Sequence, residues 1–302
     1  MAETVPVAVP RKGRPLEAVL ERLADVADDP SVGDVADSIT STLRFEKAVT
    51  KGTKRPDRDV YRRIVDYSSL PEPTRPEYTL VRDDREGKPR RVVFDSVTLP
   101  MDGVDLRLVG REEPFRALRT HDFALGFDSA DLVLEEVVSL APDGVETMSD
   151  VNARIDPRES DVRVVSGLGD TVHHTLLARP ERIPAGVSLD RGFVADYEGD
   201  LCLSPRYERL VEAVLGTDAI EGVEFVHPAE GAEEEVAIAD AGVGVYLTVT
   251  GSTAREHGLV VGEDLFPSET VLMENVEEGS PAAARVKTLL EEADLGTELR
   301  PA

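Results

Sequence analysis

An apolar run, Val5 to Val9, closes at Pro10, and a few residues later the apolar pattern changes period: Leu16, Val19, Leu20, Leu23 and Val26 recur at helical spacing. A Lys12-Gly13-Arg14 turn lies between the two. A continuous apolar run that leads through a short turn into an amphipathic helix opens a parallel α/β unit, since a strand apolar on both faces must be covered on both. The alternation continues along the chain. Strands are predicted at 105–109, 123–127, 162–165, 175–178, 192–194, 223–226 and 243–249. Helices are predicted at 57–67, 114–118, 207–215, from just after Gly251, and over 281–293. Two further strands at 79–99 flank the charged turn Asp83 to Pro89, and 132–140 is a mixed apolar run. Residues 28–76 read as less regular, an insertion or exposed excursion with a Pro-rich stretch at Pro71 to Pro76. No internal repeat is present, and the Asp-rich segment 142–161 reads as a linker or crossing.

With 302 residues the chain has room for two domains of ordinary size. It carries 60 Asp plus Glu against 34 Lys plus Arg, a formal charge of −26, while 41% of its residues are hydrophobic. That is a folded core under an acidic surface, tolerable where molar salt cuts the screening length to about 3 Å, and it marks a chain of halophilic type. An acidic surface argues against nucleic acid, and the basic cluster of Lys88, Arg90 and Arg91 is short enough to be a solvated turn. The single cysteine, Cys202, excludes an internal disulfide and a cysteine-based metal site. With no signal peptide, lipidation motif or membrane-length apolar run, a cytoplasmic location is expected.

The sharpest local signal is Thr250-Gly251-Ser252-Thr253, which follows the apolar strand 243–249. A strand that feeds a small-residue turn and a helix presents backbone N–H groups and hydroxyls to an anion, and the helix dipole assists. The same residues also serve as an ordinary helix cap. His257 reads as a helix-surface residue, and the adjacent His173 and His174 as partly exposed strand residues pointing to opposite faces.

Three separated blocks, in order, resemble ATP phosphoribosyltransferase, the family that opens histidine biosynthesis. The first is Val7-Ala8-Val9-Pro10 with Lys12-Gly13-Arg14. The second is Arg111 before Pro114, then Leu125-Gly126, Asp131 and Glu135. The third runs from Gly231, Glu234 and Ala239-Asp240 through Thr250 to Thr253, His257-Gly258-Leu259, Ser268, Leu272 and Asn275. The resemblance implies an α/β, two-lobed fold like the type II periplasmic binding proteins, with a cleft between the lobes. Lobe I would span 1–138 plus 262–302 with an insertion at about 28–100, and lobe II 139–261. Crossovers are expected near 137–150 and 255–265, with the last helix packed on the first lobe.

It also implies a chemistry: phosphoribosyl pyrophosphate joined to N1 of ATP's adenine, pyrophosphate leaving and Mg²⁺ assisting. Thr250, Gly251, Ser252 and Thr253 would then hold the 5-phosphate. Lys12, Arg14 and Arg111 would meet the pyrophosphate, with Glu234 as a further catalytic candidate and Asp131, Asp240 and Tyr246 near the ligand. Departures are plain. Tyr246 stands where the family has an acidic residue four positions before the loop threonine, Ser129 where it has glycine, and Ala195-Asp196-Tyr197 only loosely matches a Thr-Lys-Tyr-Pro element. Only about 27 residues follow Asn275, room for one helix and not for the long form's regulatory domain. A separate regulatory subunit or a homo-oligomer is therefore expected. A related enzyme with another acceptor, and a non-catalytic ligand-binding paralogue, are the competing readings.

Overall fold

A computed structural model describes residues 3–68, 74–82, 90–101, 103–140, 145, 147–229 and 232–291. Gly231, the whole of the turn at 83–89 with Lys88, residues 71–73 of the Pro-rich stretch and the end of the last predicted helix lie outside them.

In chain order the elements are β1 (Glu3–Pro10), α1 (Arg14–Val26), α2 (Pro30–Thr50), α3 (Val60–Tyr67), β2 (Glu77–Arg82), β3 (Arg90–Met101), β4 (Val104–Arg111), α4 (Pro114–Arg119) and β5 (Leu125–Ser129). Next come α5 (Ala130–Val137), α6 (Met148–Ala153), β6 (Val162–Gly167), β7 (Val172–Ala178), α7 (Arg191–Ala195), β8 (Gly199–Cys202), α8 (Glu208–Leu215) and β9 (Val223–Val226). The chain continues with α9 (Glu234–Ala241), β10 (Val243–Thr248), α10 (Ser252–Glu256), β11 (Val260–Ser268), β12 (Thr270–Asn275) and α11 (Pro281–Leu290).

Two compact units result. The first takes the described residues of 1–128, 160–170 and 270–293, the second those of 129–159 and 171–269. The first holds a seven-stranded sheet, β2-β3-β4-β1-β5-β12-β6, and the second a five-stranded sheet, β11-β7-β10-β8-β9. Apart from the pair β2 and β3, the two orders are the same. With one entering strand set aside in each, β12 and β7, the remaining strands counted along the chain read second, first, third, the entering strand, fourth in both. The entering strands, β12 and β7, run antiparallel to the last strand of their sheets, β6 and β11. The neighbouring pairs β1–β4, β1–β5, β10–β8 and β8–β9 are parallel. The predicted class, two α/β units each built on its own sheet, is thus the class observed.

Three expectations need correction. Residues 160–170, assigned to lobe II, belong to the first unit, because β6 pairs with β12 there. Residues 129–138 and 262–269, assigned to lobe I, belong to the second, where β11 pairs with β7. Within the segment 28–76, helix α2 is no exposed excursion. Asp29 caps α2 through the Ser31 N–H at 2.9 Å, Pro30 sits in the first turn, and Val32, Ala36, Ile39 and Leu43 bury a stripe in the core that contains Val7, Leu20, Phe94 and Leu106. The predicted strand at 192–194 is the short helix α7, started by Asp190, whose Oδ1 accepts from the Phe193 N–H at 3.0 Å. As expected, the last helix returns to the first unit, with Ala282, Ala283, Val286 and Leu290 in that core.

Candidate functional site

The sequence-predicted residues fall into two groups, one in each unit. In the first, β1 and β4 run parallel and end side by side, Pro10 opposite Arg111. Ligands of open α/β sheets gather beyond such carboxyl ends. Gly13, with φ +82°, turns the chain into α1 through a conformation that side chains disfavour, and it places Lys12 and Arg14 at the helix start. Arg14 is tied inside the unit. Its guanidinium donates to the Asp170 carbonyl at 2.5 Å and also meets the Asp170 carboxylate. That carboxylate accepts from Thr270 N–H at 2.7 Å and from Thr270 Oγ1 at 2.8 Å. Asp170 therefore joins the turn after β6 to the start of β12, and Arg14 ties the start of α1 to that joint. Arg111 lies 5.0 Å from the centroid of the buried Phe123 ring, a cation–π contact. Lys12 is half-buried and has partners of its own.

The second group surrounds the end of β10. Gly251 takes the left-handed conformation, φ +66°, and a Cβ there would come within 2.8 Å of Val261. Thr250, Ser252 and Thr253 are exposed. Thr250 Oγ1 and Ser252 Oγ are 3.0 Å apart, and Arg255 Nη1 braces the loop by donating to the Thr250 carbonyl at 2.9 Å. The first-turn amides of α10 are those a helix leaves without an internal acceptor. The Ser252 N–H donates to Thr250 Oγ1 at 3.4 Å, and the loop's hydroxyl-bearing side chains stand exposed.

Glu234 opens α9 and Tyr246 lies half-buried on β10. Burial, and then the nearby Glu234 carboxylate, raise the Tyr246 phenol so that it stays protonated. Tyr246 packs on the cluster of Leu177, Cys202, Ile238 and Leu259, so it fills the space beneath the loop. Asp240 is exposed on the last turn of α9.

Asp131 is placed elsewhere. It is 1% exposed, and its Oδ2 is 2.7 Å from Nε2 of His174. His174 is itself buried, stacked on Phe266 at 4.3 Å and edge-on to Tyr207 at 4.5 Å. Asp131 as a ligand-facing residue and His174 as a partly exposed one are both corrected: the two form an internal polar pair, 43 residues apart in sequence, that no local signal announces. Other motif positions also prove architectural. Glu135 accepts from Arg209 N–H at 3.1 Å and Leu210 N–H at 2.8 Å, which caps α8. Asn275 is buried and donates to the Leu118 carbonyl at 2.8 Å.

Sequence reasoning passed over Thr175, Thr248 and Asp264. Tyr246 pairs with Thr175 across β10 and β7, and Thr175 pairs with Asp264 across β7 and β11, so these side chains share one face of the sheet. A strand alternation at 260–268 would have shown Asp264, but bulges between Val261 and Phe266 blur its period. Among the described residues no group of three His, Cys, Asp or Glu side chains is placed to hold a metal ion, and no helix is long and apolar enough to cross a membrane. A cavity of 240 Å³ lined by Glu3, Val5, His121, Phe123 and Glu278 lies at the other end of β1, and the predicted residues take no part in it.

The chain is thus a two-sheet α/β protein, with a hydroxyl-bearing loop after the end of β10 and cations near the ends of β1 and β4. The chain belongs to the halobacterial ATP phosphoribosyltransferase family, whose profile matches residues 1–301. Remote likenesses to solved structures accompany this. The ATP phosphoribosyl transferase (HisG:HisZ) complex from Thermotoga maritima has a TM-score of 0.43 at 15% identity, with 95% of this chain and 94% of that chain covered. YhfZ from Shigella flexneri has 0.41 at 10% identity, covering 95% and 83%. The effector-binding domain of QuiR in complex with shikimate has 0.37 at 13%, covering 61% and 79%. No curated protein sequence matches the chain.

Proposed function

We propose that the chain transfers the phosphoribosyl group of phosphoribosyl pyrophosphate to N1 of ATP's adenine, as the first reaction of histidine biosynthesis. Family membership supports the reaction class, and the observation that carries the residue assignment is the open loop at Thr250 to Thr253. Its amides and hydroxyls take the 5-phosphate. Lys12, with Arg14 beside it on the turn, faces the charge of the departing pyrophosphate, while Arg111 supports the same edge from β4. The C1–pyrophosphate bond breaks as the adenine N1 bond to C1 forms. The residues position and neutralise, with no covalent intermediate on the protein. Mg²⁺ enters this reading as a companion of the pyrophosphate, and no step is routed through it.

Tyr246 in place of an acidic residue favours a second reading, a related enzyme with another acceptor. Pyrophosphate release from phosphoribosyl pyrophosphate, measured in molar KCl with Mg²⁺, separates the two. Release that depends on ATP is expected. Binding without ATP-dependent release points to another acceptor, and no binding leaves a non-catalytic paralogue. A second subunit or a homo-oligomer belongs to the same proposal, as does a cytoplasmic location. The charge of −26 adds a further expectation, that the melting temperature climbs as KCl rises from millimolar to molar; a flat melting series removes the halophilic reading.

A further inference from the structure

We propose that Asp264 and Thr248 form a hydroxyl-binding pair for the sugar of the ligand whose phosphate the 250–253 loop takes. The proposal rests on the reading of that loop as a phosphate site. Thr175, fully buried, stands between the two: its Oγ1 is 2.7 Å from Asp264 Oδ1 and 2.6 Å from Thr248 Oγ1. Each hydroxyl carries one proton. Since the carboxylate can only accept, Thr175 donates to Asp264 and accepts from Thr248. The chain of donors thus points one way, and both outer groups are left with free acceptor capacity on the open side.

The surroundings agree with that role. The Asp264 side chain is 56% exposed, and its Oδ2 is 3.9 Å from Nδ1 of the half-exposed His173, beyond a direct hydrogen bond. Two acceptors held by one buried hydroxyl suit two donors, as a vicinal diol supplies. They do not suit an anion, which the carboxylate repels. Thr248 is the last residue of β10 and precedes Thr250 by two residues, a span of at most about 7 Å. A pentose 5-phosphate would be sorted end from end: its phosphate on the amides of the loop, its hydroxyls on Thr248 and Asp264.

Calorimetry in molar KCl with ribose 5-phosphate, 2-deoxyribose 5-phosphate and inorganic phosphate tests the pair. The parent is expected to favour ribose 5-phosphate over the deoxy sugar by about tenfold, the worth of a hydrogen bond to a charged group. Asp264→Asn keeps the shape and the bond from Thr175 but turns donors outward. It should abolish that preference and leave inorganic phosphate binding unchanged. Thr175→Val should reduce the preference in part. If the parent binds inorganic phosphate yet shows no preference, or if Asp264→Asn retains it, the pair is refuted while the loop stands. If the parent binds none of the three, the loop reading falls and the pair with it.

Discussion

The two groups of candidate residues differ in how much of their bonding capacity the fold has already used. At the end of β1, Arg14 is engaged with Asp170, which is itself held by Thr270, and Arg111 lies against Phe123. At the end of β10, the hydroxyls of Thr250 and Ser252 bond mainly to each other, and Thr253 is exposed. The first group is a closed joint that happens to be cationic; the second is an open surface. A ligand must compete with Asp170 for Arg14, whereas at the loop it competes only with the exposed bonds of Thr250 Oγ1 to Ser252. Binding strength is thus expected to come from the loop, and stability from the arginine.

The largest effect expected to separate them is at Ser252. Asp at this exposed first position of α10 favours the helix dipole, so the fold should keep its melting temperature, while a like charge where phosphate sits should cost roughly a hundredfold or more in affinity. Ser252→Asp is a cleaner probe than Gly251→Asp, whose Cβ would press on Val261. Titration calorimetry with inorganic phosphate reads it, and undiminished binding would reduce the loop to a helix cap.

Next in size is Arg14→Ala, which removes a partner from the part-buried Asp170. It should cost about 1–3 kcal/mol of stability, seen in denaturant melts, with loop affinity for inorganic phosphate unchanged. Arg14→Lys should recover only part of that loss, because both bonds come from Nη1, and the shorter, more strongly hydrated lysine does not place its ammonium where that nitrogen lies. A stable Arg14→Ala would break the contrast.

The smallest effect concerns the floor beneath the loop. Burial, then the Glu234 carboxylate, push the Cys202 thiol from 9.0 up to about 11. A thiol raised in the folded state adds stability that is complete below pH 9 and fades as pH climbs toward 11, since the unfolded chain releases its proton first. Native protein at pH 8 should resist thiol reagents that label it at once in urea, and Cys202→Ala should flatten the alkaline decline in melting temperature.

The parts legible in sequence were those governed by local period and turn chemistry. The opening strand and helix, the β10–loop–α10 passage and the last helix all announce themselves through apolar spacing and glycine. Helix α2 was obscured because Gly33, Ser38, Thr40, Ser41 and Thr42 dilute its stripe, although Asp29 and Pro30 mark its start. The Arg14–Asp170 joint spans 156 residues, and the hydroxyl chain from Thr248 through Thr175 to Asp264 joins three strands. Pairings at that range depend on sheet order, which no local pattern encodes. Tyr246 was legible as a departure, and its packing on Leu177 and Cys202 explains why the strand tolerates it.

The strand order shared by the two sheets sets a timetable for synthesis. The second unit has all its strands once residue 268 has been made, whereas the first, begun at residue 3, still lacks β12 and α11. Chains grow from the N-terminus at about 5–20 residues per second. The half that starts first is therefore the last to close, and for several seconds its β5 edge waits for a strand still in the ribosome. A chain stopped after β11 would hold a finished second unit beside an unsealed first one, with an open strand edge of the kind that invites association.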